Sequence, residues 1–334
     1  MKIVNCGGGS LGHVCAGVLS SHEGVEVSIL TNRPERWSRK VVVTDNNGKE
    51  FVADIKVATS KPEEVIPTAD IVFLCQPGFL ISNTLKQIKP WLNEACVVGS
   101  IVSSTGFFFQ AHDILPETTK LFGFQRTPFI ARVGEYGHSA RLLGYKREVA
   151  IATENIIDTE AFKMQVERLF ITPTVLCANY YEVSLTNSNP ILHTGRLYSM
   201  WCDWNGERYD HNILFYKEWT DDASQLLIDM DAEFMALLGK LPVTQGAIPS
   251  LLEYYESTDA SSLTRKIASI AAFQTIESPM KRDEDGWVPD FESRYFAEDF
   301  PFGLQYIKSI AEQNDVPTPT IDKVLAWGLS KIEK

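Results

Sequence analysis

Two groups of residues carry chemistry, and the first opens the chain. Gly7-Gly8-Gly9-Ser10-Leu11-Gly12 fits G-x-G-x-x-G, with Gly7, Gly9 and Gly12 in the three glycine places. The apolar run at residues 2–6 precedes it, small and apolar residues suited to a helix follow at 13–21, and residues 25–30 alternate as a second strand. In a strand–turn–helix unit these glycines permit a tight turn, close approach of the backbone to a pyrophosphate and close packing of helix on strand. The helix N-terminus adds unpaired N–H groups and partial positive charge for the phosphates. A glycine turn with no ligand is the competing reading, and the position between strand and helix argues against it.

The end of the second strand sets the choice of cofactor. NAD sites place an acid there to hold the ribose 2′-hydroxyl. Here the stretch reads Thr31-Asn32-Arg33-Pro34-Glu35-Arg36, with two neutral residues followed by two arginines. That composition suits a 2′-phosphate, so NADP is the expected cofactor. NAD is the alternative if Glu35 turns inward and both arginines are solvated. Gln76 and Pro77 close a later apolar run, at a strand C-terminus where open α/β sheets place ligands.

The second group lies far downstream. In Asn189-Pro190-Ile191-Leu192-His193 the Asn-Pro step interrupts a helical pattern, because proline lacks an N–H and biases its predecessor out of the helix. The break aims His193 at a cleft, against the alternative of a structural histidine with both nitrogens satisfied. Arg294-Tyr295-Phe296-Ala297-Glu298-Asp299 puts Arg294 and Asp299 five apart, off a shared α-helix face. Asp299 also reads as an N-cap for a last long helix beginning near Pro301.

The elements that must position these groups read as a soluble α/β enzyme of two domains. Length 334 suits two cores. With 43 acidic and 31 basic residues the net charge is −12, which argues against nucleic acid or an anionic membrane surface as partner. No apolar run approaches the roughly 20 residues of a membrane span. Six dispersed cysteines show no metal spacing, and no leader pattern precedes the first strand, so a cytoplasmic location with no metal is expected. Residues 41–44 and 51–59 flank Asn47-Gly48 as a hairpin. Buried strands follow at 69–76 and 95–102, with further strands near 120–124 and 144–153. Strands alternating with helices predict a Rossmann-type parallel sheet over 1–179. Segments 181–200, 221–238, 250–255, 263–273 and 301–313 predict a mostly α-helical substrate-binding domain over 180–334. In such two-domain dehydrogenases the substrate occupies a cleft between the domains. Trp201, Trp204 and Trp219 read chiefly as packing.

The glycine turn, Asn189-Pro190-Ile191-Leu192-His193, Arg294 through Leu304, and Val316-Pro317-Thr318-Pro319-Thr320-Ile321-Asp322 together resemble the opine dehydrogenase (octopine/nopaline dehydrogenase) family. The resemblance spans nearly the whole chain. It implies reductive condensation of a 2-oxo acid with the amino group of an amino acid. It further implies His193 and Asp299 as the acid/base pair and Arg294 as the anchor of the oxo-acid carboxylate, with Asn189 at the substrate. The family more often has Pro after this histidine, where this chain has Thr194. Two rivals stand beside it: a ketopantoate reductase-like enzyme acting without an amine, for which Lys217 or Lys266 would be the acid, and a dinucleotide sensor without turnover. A homodimer is compatible with the sequence, which carries no signal for or against it.

Overall fold

The computed structural model describes residues 1–104, 106–186 and 188–332; Thr105, Asn187, Glu333 and Lys334 lie outside the described residues. The chain forms two compact units, Met1–Thr186 and Asn187–Lys334, so the division falls after Thr186 and not after 179. The short helix at 180–184 accounts for the difference. Its Val183 is buried in the first unit's core.

The first unit is built on an eleven-stranded sheet: β1 (Lys2–Cys6), β2 (Glu26–Leu30), β3 (Lys40–Asp45), β4 (Glu50–Thr59), β5 (Ile71–Leu74), β6 (Val97–Ser100), β7 (Lys120–Phe124), β8 (Phe129–Val133), β9 (Ser139–Tyr145), β10 (Val149–Glu154) and β11 (Thr174–Leu176). Their order is β11-β10-β7-β6-β5-β1-β2-β4-β3-β9-β8. The central run β7-β6-β5-β1-β2-β4 is parallel throughout. Parallel strands are covered on both faces and therefore read as continuous apolar runs; β5 is buried at all four positions. Side chains alternate between two cores. Ile3 and Phe73 face α1 (Ser10–Ser20), whereas Val4, Val72 and Leu74 face α2 (Gly78–Ile88) and α3 (Phe107–Ile114). Helix α4 (Thr159–Phe170) and α5 (Tyr180–Ser184) complete the unit. The Asn47-Gly48 hairpin is internal to the sheet, because β4 joins β2 and β3 joins β9. Gly48 has φ +79°, the left-handed conformation that this turn requires.

The second unit is helical: α6 (Asn189–Trp201), α7 (Asp221–Leu238), α8 (Leu251–Tyr254), α9 (Ala260–Ser269), a π-helix (Tyr295–Leu304), α10 (Gln305–Gln313) and α11 (Pro319–Ile332). A two-stranded hairpin, β12 (Met280–Asp283) with β13 (Gly286–Pro289), interrupts the helices. The Asn-Pro break is present, with α5 and α6 separated and Pro190 in the first turn of α6. Glycines let the site's helices approach closely. A Cβ on Gly195 would lie 2.8 Å from Leu227 of α7, and one on Gly303 would lie 2.8 Å from Pro190. The second approach draws the π-helix onto the start of α6. No described helix is long and apolar enough to cross a membrane.

Candidate active site

The glycine turn borders a cavity of about 320 Å³ lined by Gly7, Gly8, Gly9, Thr31, Asn32, Arg33, Gln76 and Pro77, among others. Each glycine of the motif is explained by its surroundings. Gly7 has φ +123°, and a Cβ there would lie 2.6 Å from the Cys75 carbonyl oxygen. A Cβ on Gly12 would collide with the Gly7 carbonyl, so this glycine sets the seat of α1 on β1. The Asn5 amide supports the same seat by donating to the Gly12 carbonyl at 2.7 Å. Gly9 has ordinary dihedrals and nothing within 4 Å of a Cβ position, leaving open space at the start of α1. Bare backbone, a helix N-terminus and free volume are what a dinucleotide pyrophosphate needs, so the residues present fit that group.

Other predicted cofactor residues have different places. Ser10 accepts the Val133 N–H at 3.0 Å, and Leu11 packs against the core. Neither lines the cavity, and both seat α1. Thr31 is buried, Asn32 and Arg33 are exposed at the rim, and Glu35 is exposed. Arg36 is not a lining residue; its guanidinium stacks over Tyr136 at 4.7 Å. Tyr136, which the sequence reading did not single out, lines the cavity, and a Cβ on Gly8 would collide with its hydroxyl. His13 fixes this loop. Its Nε2 accepts the Gly137 N–H at 2.7 Å while its ring stacks on Trp37 at 4.3 Å. Burial pushes His13 below the usual histidine range, consistent with a neutral ring that accepts.

In the second unit α6 and the π-helix bring together two residues 106 positions apart. The His193 Nδ1 lies 2.8 Å from Asp299 Oδ2, and its Nε2 lies 2.9 Å from the Tyr216 hydroxyl. The ring is buried, with Tyr295 at 4.7 Å and Phe215 edge-on at 5.7 Å. Asp299 is inside the π-helix, so it caps no helix. Pro301 lies in the same helix, where its missing N–H opens the α-helical ladder. Burial, then Tyr295, Tyr255 and the Asp299 carboxylate, hold the Tyr216 phenol well above the usual range, and it stays protonated at neutral pH. Tyr295 is shifted the same way by burial and Asp299.

Arg294 is not bonded to this cluster. It sits at the N-cap of the π-helix, its Nε and Nη2 donate to Glu298 Oε1 at 3.0 and 2.8 Å, and its side chain is 81% exposed. Asn189 is the first residue of α6 and half-buried. Thr194 lies inside α6, fully buried, with its hydroxyl donating to the Pro190 carbonyl. Trp201 and Trp219 are core residues. Lys217 is exposed, and Lys266 is ion-paired with Glu256 on the surface.

Tyr216 and Arg196 escaped the sequence reading because neither lies in a motif. Buried Arg196 donates to the carbonyls of Phe215 and Glu218 at 3.1 and 2.7 Å, and burial pushes its pKa down to about 10. Its sequence signal was a cation three residues after His193, in a helix with no other Lys, Arg, Asp or Glu.

Residues 176–331 match the family model described as NAD/NADP octopine/nopaline dehydrogenase, alpha-helical domain. Residues 3–126 match that of ketopantoate reductase PanE/ApbA. The tauropine dehydrogenase of Arabella iricolor is 31% identical over 355 residues, covering 96% of this chain and 89% of the relative. Octopine dehydrogenase solved with NADH and L-arginine superposes with TM-score 0.88 at 26% identity, over 100% of this chain and 90% of that one. Its structure with NADH and pyruvate gives 0.87 at the same identity and coverage. This chain belongs to the octopine/nopaline dehydrogenase family and is an oxidoreductase of the opine dehydrogenase type.

Proposed function

We propose that this protein catalyses the NAD(P)H-dependent reductive condensation of a 2-oxo acid with the amino group of an amino acid. The observation that carries the reading is the buried His193–Asp299 pair at 2.8 Å. Condensation requires a proton to leave the ammonium group and a proton to reach the departing oxygen, and an imidazole can accept the one and return the other. Asp299 holds the Nδ1 proton, fixes the tautomer and opposes the imidazolium charge, as the carboxylate of a Ser-His-Asp triad does. A related octopine dehydrogenase was solved with pyruvate and with L-arginine, which supports an oxo acid and an amino acid as the substrate classes. The nicotinamide supplies the hydride when bound, and Gly7, Gly8, Gly9, Thr31, Asn32, Arg33, Gln76 and Pro77 would hold the dinucleotide.

Arg294 is the proposed carboxylate anchor. Its guanidinium already accommodates one carboxylate, that of the largely buried Glu298, while the Arg294 side chain itself is exposed and open to a second carboxylate. Asn189, at the start of α6 four residues before His193, is proposed as a further substrate-binding residue. NADP(H) is the proposed cofactor, because Arg33 lines the cavity and, among the described residues, no acid does.

The deciding experiment measures oxidation of NADPH and of NADH with pyruvate, with and without a panel of amino acids. Amine-dependent oxidation supports the reading. Oxidation indifferent to amines replaces it with a simple oxo-acid reductase, and none with any pair replaces it with a dinucleotide-binding protein without turnover.

A further inference from the structure

The acid/base pair leaves one contact unexplained. The Nε2 of His193, the nitrogen that a substrate would have to reach, is already bonded to Tyr216. Both ring nitrogens are therefore engaged, and His193 exchanges no proton directly with a substrate in this arrangement.

Tyr216 is firmly held. Its ring stacks on Phe273 at 4.5 Å and lies 7° from parallel to Trp219 at 6.1 Å. Its backbone neighbours are pinned on both sides. Arg196 bonds the carbonyls of Phe215 and Glu218, and the Phe215 N–H donates to the Ile276 carbonyl at 2.8 Å. Arg196 belongs to α6, the helix that carries His193, so the turn bearing Tyr216 and the histidine are fixed to one frame. Freeing Nε2 would require pulling a stacked, buried ring from this setting. A hydroxyl that rotates in place costs far less, since it donates and accepts by turning one bond.

We infer that Tyr216 is the terminal group of an Asp299–His193–Tyr216 relay and the catalytic residue that touches the substrate. The inference rests on the reading of His193 as acid/base. In the condensing direction a proton leaves the ammonium nitrogen for the Tyr216 oxygen, while the Tyr216 hydroxyl proton passes to Nε2. His193 becomes an imidazolium facing Asp299. The free amine attacks the carbonyl carbon, so a C–N bond forms and the C=O π pair moves to oxygen. One proton then shifts from nitrogen to that oxygen. Next the C–O bond breaks as the nitrogen lone pair forms C=N. The departing oxygen takes the Tyr216 proton, Tyr216 recovers one from Nε2, and water leaves. Two protons have moved from nitrogen to oxygen, His193 ends neutral, and nothing in these steps is oxidised or reduced.

The test compares His193→Ala, Tyr216→Phe and a series of fluorotyrosines at position 216, assayed with pyruvate and the most active amino acid of the panel. Phe keeps the ring stack, and circular dichroism with the melting temperature reports whether the fold is intact. The expected result for Tyr216→Phe is a fall in kcat of roughly 10²–10⁴-fold, with the cofactor Kd unchanged. Across the fluorotyrosines, which keep the hydroxyl but grade its acidity, kcat should follow phenol acidity along a Brønsted line. A Tyr216→Phe enzyme within threefold of wild type, or faster, beside an inactive His193→Ala, overturns the relay and leaves His193 as a base reached directly. A kcat flat across the fluorotyrosines also overturns it and makes Tyr216 a positioning residue. Retained activity in His193→Ala removes the acid/base reading and the relay with it.

Discussion

One hydrogen bond joins His193 to Asp299, and the proton-transfer role proposed for the pair has a measurable consequence. His193→Ala should lower kcat by roughly 10²–10⁴-fold while NAD(P)H affinity, measured by fluorescence titration, stays near wild type. Asp299→Asn should follow in the same direction, because an amide neither fixes the Nδ1 proton nor opposes an imidazolium. If it alters only the melting temperature, Asp299 is structural. Arg294 allows a sharper comparison. Arg294→Lys keeps charge but loses the planar fork, and should raise the oxo-acid KM more than the amino-acid KM. Changes within about twofold, under 0.5 kcal/mol, would leave only the pair with Glu298. Arg33→Ala should weaken NADPH by at least tenfold relative to NADH, about 1.4 kcal/mol; equal losses would remove the 2′-phosphate argument. At this scale the sequence was legible where residues sat in motifs. Tyr216, Tyr136 and Arg196 did not. Their contacts arise where a turn or loop is laid against a helix, and no periodicity records that.

Among the elements, the turn from β1 into α1 separates folding from binding within three residues. Gly7 is in the left-handed region with a carbonyl against its Cβ position, whereas Gly9 is in ordinary extended backbone beside open space. Gly7→Ala should therefore destabilise the unit and lower the melting temperature. Gly9→Ala should leave the melting temperature within about 1 °C yet weaken the dinucleotide severalfold or more, since its methyl would occupy the space a pyrophosphate approaches. Equal cofactor affinity in Gly9→Ala would place the phosphates elsewhere. The buried parallel strands were readable because coverage on both faces makes them continuous apolar runs. The edge strand β8, the three-residue β11 and the β12–β13 hairpin were not, because runs of three to five residues are too short to show a period. The π-helix was also invisible from sequence. Its aromatic-rich pattern suggests only a helix near Pro301, and the register that turns Asp299 towards His193 comes from packing at Gly303 on Pro190.

Across the whole molecule, the two-unit plan followed from the change of periodicity near residue 180, and its boundary moved because a five-residue helix is too short to show which core it serves. The units also separate experimentally. Trp201, Trp204, Trp219, Trp287 and Trp327 belong to the second unit and only Trp37 and Trp91 to the first, so tryptophan fluorescence reports mainly the helical unit. That unit carries a pH-dependent weakness. Asp231, on α7, is buried, and its carboxylate accepts the Leu251 N–H at 2.8 Å at the start of α8. Burial pushes its pKa up to about 6, partly offset by that hydrogen bond and increased by Glu253. An acid with a raised folded pKa holds its proton longer in the native state than in the unfolded one. Stability therefore falls as pH rises from about 4 to about 6, and the loss is constant above that window. Asp231→Asn keeps an oxygen for Leu251 and removes the ionisation. It should stabilise the helical unit at pH 8, by at most about 3 kcal/mol and less wherever the amide bonds Leu251 more weakly, and should add nothing at pH 4. Urea unfolding followed by tryptophan fluorescence at the two pH values is the measurement. A gain at pH 4 as large as at pH 8 would show that the effect is packing and not proton linkage.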